Sequence, residues 1–228
     1  MVGIVEIRNK TSEIGLINSF VNSVDRVYIG KRCVGFSIPK RKVTKVLCID
    51  TINSTATYKK NFSDLPINKQ VRENRNRSII DLRYSVNNDG IEKRVGCALY
   101  RLIALAYQIF NDNGYVLSSY NAYDVNHMDG SGSGRYGLQI NNTNENLEIV
   151  DANAHKLHTQ AWARLWKAGA WCRISAEDKE LLDIVLSSET KIFVDDFVVR
   201  CLYNNKIIDI LYRTDRNSPY KRIPKDLK

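Results

Sequence analysis

All three histidines of the chain, His127, His155 and His158, fall in one stretch, among Asn, Asp and Gly. It reads Val125-Asn126-His127-Met128-Asp129-Gly130, then Asn141-Asn142-Thr143-Asn144-Glu145-Asn146-Leu147-Glu148, then Asp151-Ala152-Asn153-Ala154-His155. A neutral imidazole accepts a proton near pH 7 and also ligates metals. Amide and carboxylate oxygens beside it suit a hard divalent cation. These residue types match metal-assisted phosphodiester hydrolysis, in which a base takes a proton from water and a cation binds the phosphate and stabilises the leaving oxygen. In that chemistry His127 is the base, Asn126 an amide-oxygen ligand and His155 a second ligand. Asn146 holds the connecting loop by hydrogen bonds, and Asp129 orients or caps the turn at Gly130. The alternative is a chance cluster of packing histidines.

The elements around the stretch must position these groups. Upstream, residues 79–85 and 91–98 read as strands about Asn87-Asn88-Asp89-Gly90, whose Asp-Gly is a hairpin signal. Leu99, Leu102, Ile103, Leu105, Ala106, Ile109 and Phe110 recur at helical spacing, and Asn111-Asp112-Asn113-Gly114 stops that helix. Within the stretch, residues 131–137 form a Gly/Ser-rich loop. Residues 154–168 read as a helix closed by Gly169. Ser175 is the expected N-cap of a helix over 176–186, with Glu177 and Asp178 in its first turn. Residues 190–199 and 202–212 read as two further short helices. In the N-terminal part, residues 14–24 read as a short helix, and the Val- and Ile-rich residues 26–36 and 43–50 as strands. Pro39 and Pro66 mark loops.

The combination Asn126-His127-x-Asp129-Gly130, Asn141-Asn142, Asn146-Leu147-Glu148 and His155, nine residues past Asn146, resembles the HNH endonucleases, especially the homing endonucleases of phages and introns. The hairpin at 79–98 and Tyr100-Arg101-Leu102-Ile103-Ala104 resemble the segment that precedes the motif in that family, with Tyr100 where a His is usual. The resemblance implies an α+β fold: a ββα-metal module preceded by a β-hairpin and helix, and followed by a small helix-turn-helix-like region. It implies 78–172 as the endonuclease domain and 173–228 as the DNA-binding region with a basic tail; residues 1–77, outside the resemblance, read as a β-rich basic region of unclear role. Residues 202–212 would be the recognition helix. It implies site-specific hydrolysis of DNA with Mg²⁺ or Mn²⁺, His127 as general base, Asn126 and His155 as metal ligands, and Asn146 as the structural Asn of the catalytic motif. His158 and Asp129 are possible additional members; His158 is a further ligand, a phosphate contact or a solvated side chain. Two departures stand out. The 131–140 loop is longer than in typical members, and Asn126 replaces the Asp of many relatives. They motivate a rival reading, a catalytically inactive DNA-binding regulator on the same scaffold. A nonspecific or RNA-directed nuclease is a third reading, against which the helix-turn-helix text speaks.

Composition agrees with a nucleic-acid partner. The 228 residues carry a formal net charge of +9, a balance that favours polyanions. Basic side chains cluster at 31–45, at 69–77 and at 213–228. Candidate DNA contacts are Arg72, Arg75, Arg77, Arg135, Lys156, Asn204, Asn205, Lys206 and Arg213. With 43% hydrophobic residues the chain can bury a core, but no apolar run is long enough to span a bilayer. Five dispersed cysteines, none in a Cys-x-x-Cys pair, argue for free thiols in a reducing cytoplasm. Double-stranded DNA is the expected partner, no membrane is expected, and the chain is read as a monomer or homodimer.

Overall fold

The computed structural model describes residues 3–6, 20, 23–40, 43–62, 72–74, 77–85, 92–111, 123–133 and 136–223. Most of the 14–24 segment, the 87–90 turn, the 112–114 stop signal, Arg75 and Arg135 lie outside these residues. The architecture is mixed α and β, with three helices among the described residues. The chain divides into two compact units: residues 1–125 with 141–147, and residues 126–140 with 148–228.

The first unit begins with a five-stranded sheet in sequential order: β1 (Gly3–Glu6), β2 (Arg26–Ile29), β3 (Cys33–Lys40), β4 (Val43–Asp50) and β5 (Thr55–Lys59). All neighbours pair antiparallel. The single strand expected over 26–36 is two strands, because the Gly30 amide bonds back to the Cys33 carbonyl at 2.8 Å and turns the chain. Residues 33–38 and 46–50 are buried at every position, so both faces of the central strands are covered. On one, Phe62 lies over Gly35, where a Cβ would sit 2.6 Å from its ring, and stacks on Tyr28. Asp50 closes the β4–β5 turn. Its carboxylate accepts from the amides of Ile52 at 2.8 Å and Asn53 at 2.9 Å, from the Asn53 side chain at 3.1 Å and from the Arg32 guanidinium at 2.8 Å. Burial alone would raise the Asp50 carboxyl, but these amides and Arg32 hold it below the ordinary carboxylate value.

A second sheet joins β6 (Arg72–Asn74), β7 (Arg77–Ser85) and β8 (Glu92–Ala98); in the β7–β8 hairpin Ile79 stands opposite Ala98 and Ser85 opposite Glu92. Helix α1 (Leu99–Asn111) follows directly and buries the predicted stripe, Leu99, Leu102, Ile103, Leu105, Ala106 and Ile109. It packs on β1, β2 and β3.

The second unit is built on α2 (Ala152–Lys167) and α3 (Lys179–Leu186) packed with a five-stranded sheet of order β11 (Cys172–Arg173), β15 (Tyr220–Arg222), β14 (Lys206–Tyr212), β13 (Val198–Tyr203), β12 (Lys191–Val194). Strand β11 runs parallel to β15; the other pairs are antiparallel. Here the structure corrects the helix-turn-helix expectation. Residues 190–199 and 202–212 form β12, β13 and β14, not helices. Burial alternates with period two, with Val199, Cys201, Asp209 and Leu211 inside, and the residues are largely β-branched or aromatic. Asn204 and Asn205, with φ of 48° and 60°, form the tight turn between β13 and β14 that two left-handed residues allow.

Helix boundaries follow local chemistry. Asp151 caps α2 by accepting from Asn153 and Ala154 amides at 2.8 and 2.9 Å. Gly169, at φ +91°, ends it: its amide bonds to Trp166 O at 2.9 Å and that of Ala170 to Leu165 O at 3.0 Å. The cap of α3 is Asp178, which accepts from Leu181 N at 3.2 Å, and not Ser175. Arg164 of α2 donates to the carbonyls of Val185 at 2.5 Å, Ser187, and Thr190 at 2.7 Å, covering the C-terminal end of α3. Arg222 of β15 bonds Asp178 and Asp209 and lies 3.2 Å from Glu180, tying the start of α3 to the sheet.

Candidate active site

Strands β9 (Tyr123–His127) and β10 (Leu147–Asp151) pair as a two-stranded sheet, and from Asn126 and Glu148 onward both belong to the second unit. Helix α2 follows β10 without a break. His127 therefore ends the first strand, and His155 lies in the first turn of the helix.

The turn after His127 is tightly specified. The Gly130 amide bonds to His127 O at 2.9 Å, and Gly130 has φ +72°. A Cβ at Gly130 would lie 2.2 Å from Trp162, so any other residue would be both strained and overlapping. Trp162 is itself fixed: its indole N–H donates to Cys172 O at 2.8 Å, and it stacks on Trp166 with Tyr136 against both rings. Asp129 is buried, and its Oδ1 accepts from the Ser131 amide at 2.9 Å, while Trp171 Nε1 donates to its backbone oxygen at 3.1 Å. These bonds make it a turn-former. His127 is only 5% exposed, and the backbone of Gly132 lies against its ring: a Cβ there would meet Nδ1 at 2.2 Å.

Asn126 is held by Glu148, the last residue of the Asn146-Leu147-Glu148 motif. Asn126 Nδ2 donates to Glu148 Oε1 at 2.6 Å. The same carboxylate accepts from Ala176 N at 2.7 Å and from Ser175 Oγ at 2.6 Å. A carboxylate only accepts, so the side of the Asn126 amide facing it is the NH₂, and Oδ1 is turned the other way. The Asn-Leu-Glu text was the available signal; its meaning depends on partners far along the chain.

The two remaining histidines differ. His155 is half-buried, and its backbone oxygen accepts from Thr159 Oγ1 at 2.9 Å. His158 is 2% exposed, with Nε2 3.0 Å from Ile174 O and the Met128 backbone also bonded to its ring. Burial pulls its pKa below the ordinary histidine value, so the neutral ring is favoured. It is not a solvated side chain.

Asn146 belongs to the first unit. It ends a short 3-10 turn (Asn144–Asn146), is buried, and donates from its side chain to Asn141 O at 2.8 Å, while its backbone amide bonds Thr143 O at 3.0 Å. Asn142 donates to Ser54 Oγ at 2.6 Å within the same unit. Among the described residues no three His, Cys, Asp or Glu side chains are grouped as a metal cage. The carboxylates of Glu148 and Asp129 already serve protein donors. An amide oxygen such as that of Asn126 and an imidazole such as that of His155 are donor types that suit a divalent ion completed by phosphate and water.

The remaining candidates are spread out. Lys156 and Lys206 are exposed, and Asn204 and Asn205 form the β13–β14 turn. Arg213 is spent on structure, donating to Asp196 O at 2.6 Å and Arg216 O at 2.7 Å over the Tyr220 ring. Arg72 and Arg77 begin β6 and β7.

The chain was compared with family models, curated proteins and solved structures, and none matches it. No helix among the described residues is long and apolar enough to cross a membrane.

Proposed function

We propose that the chain is a DNA endonuclease that hydrolyses phosphodiester bonds with one divalent metal and His127 as general base. What supports this reading is the order β9–β10–α2, with Asn126 and His127 ending the first strand and His155 one turn into the helix. His127 would take the proton from the attacking water, its ring held in one pose by Gly132 and the Gly130 turn. Asn126 and His155 would hold Mg²⁺ or Mn²⁺, which when bound supplies charge for the leaving oxygen. Glu148 would keep the Asn126 oxygen turned away from its own carboxylate, and Asn146 would brace the 141–146 loop.

A second reading, a DNA-binding protein without catalysis, is favoured by one observation: both nearby carboxylates are committed to protein donors. A supercoiled-plasmid assay with Mg²⁺, Mn²⁺ or EDTA separates the two. The endonuclease reading expects metal-dependent nicking or linearisation that His127→Ala reduces at least about a thousandfold. DNA binding by the wild type with no cleavage in any metal would establish the second reading instead.

A further inference from the structure

The outer face of the C-terminal sheet combines exposed apolar and aromatic groups with positive charge. Phe193, Ile207 and Tyr212 are 51%, 54% and 38% exposed. Basic residues stand among them in register: Arg200 opposite Phe193, Lys221 opposite Tyr212, and Lys191 opposite Leu202, which also faces Ile207. The acid within strands β12 to β15 is Asp209, which is buried on the other face against Arg222. In the β12–β13 turn, Asp195 is bonded by Arg200 at 2.9 Å and Asp196 by Arg216. At the far end, Glu189 takes the Tyr203 hydroxyl.

Patches of this kind mark binding surfaces, and the charge pattern selects the occupant. A second copy meeting the face across a two-fold axis would set Lys191 and Lys221 against the same cations, with no strand carboxylate to neutralise them. A polyanion that also offers flat apolar surface fits both components. Lysines neutralise phosphates, and aromatic and aliphatic groups contact sugars and thymine methyls. We infer that the outer face of β12–β15 docks on duplex DNA, in the place the sequence assigned to a recognition helix. The inference rests on the reading that the chain acts on DNA.

The test uses the full chain and a labelled duplex, with binding followed by anisotropy in EDTA over a series of NaCl concentrations. Two double variants are compared with wild type, Lys191→Glu with Lys221→Glu, and Phe193→Ser with Tyr212→Ser, after melting curves confirm that each is folded. The charge variant should bind about tenfold or more weakly and lower the slope of log K against log salt by about two. The aromatic variant should weaken binding and leave the slope unchanged. Wild-type affinity and slope in both variants overturn the inference, as does a wild type that binds no duplex. A sedimentation-detected dimer that the aromatic variant dissociates, with DNA binding intact, also overturns it by giving the face to a second copy. Plasmid nicking in Mg²⁺ or Mn²⁺ is read in parallel. Nicking by wild type with unaltered binding in the variants sinks the sheet face alone; binding through the face without nicking sinks the nuclease alone.

Discussion

Asp50 in the first unit and Glu148 in the second solve the same local problem for different ends. Asp50 is buried and Glu148 partly so, and each carboxylate gathers several donors. Asp50 takes three of its four bonds from Ile52 and Asn53, immediately downstream, and one from Arg32. Glu148 takes its bonds from residues 22, 27 and 28 positions away, on two other segments. One is a turn lock. The other joins β9, β10 and the chain entering α3, and one of its donors, Asn126, retains an oxygen to present elsewhere. A carboxylate with neighbouring donors stabilises its own turn; one with distant donors can set the orientation of another functional group.

Substitutions sharpen that contrast. The largest effect is expected at Glu148→Gln, whose amide can donate to Asn126 and reverse its orientation. Plasmid nicking should fall about 10–100-fold, the range for removing a group that orients a metal ligand, and Mn²⁺ should raise the melting temperature less than in wild type. Unchanged nicking with a lowered melting temperature would make Glu148 a second Asp50. Next is Asp50→Asn, expected to cost about 2 kcal/mol in urea unfolding because charge-assisted bonds are lost. Nicking per folded molecule should be unchanged; a catalytic defect there would break the comparison from the other side.

The pH effects are smaller. The folded-state pKa of Asp50 is depressed, so its contribution is present above the ordinary value of 3.8 and is lost as pH falls through the folded value. The gap in urea midpoint between wild type and Asp50→Asn should close in that acid range. His158 has the same sign for a different cause, since burial lowers its pKa and the unfolded chain takes the proton first. Stability should decline as pH drops below about 6.5, and a His158→Gln variant should flatten that slope in a melting series. A slope that survives the substitution would assign it to another group.

Local chemistry was legible where it sufficed. Residues 43–50 match β4, the apolar spacing from Leu99 matches α1, and Gly169 ends α2 as read. Between 190 and 212 the reading failed because a short apolar segment satisfies either period. The deciding features were strand-level: β-branched residues, alternation, and Asn204-Asn205 as a turn between strands. At the candidate site, the residue types were visible in the text. The Glu148 clamp was not, since its partners are brought together only by β9, β10 and the segment before α3.

The guanidinium of Arg164 has a consequence for how the second unit assembles. It supplies the partners for carbonyls at Val185, Ser187 and Thr190, so the last turn of α3 is completed by a side chain from α2. An eight-residue helix is too short to persist in water alone. The end of α3 and the entry to β12 are thus stapled by one fork to a helix that caps itself at both ends. Loss of that one side chain would leave three carbonyls at the end of α3 and the approach to β12 without these donors.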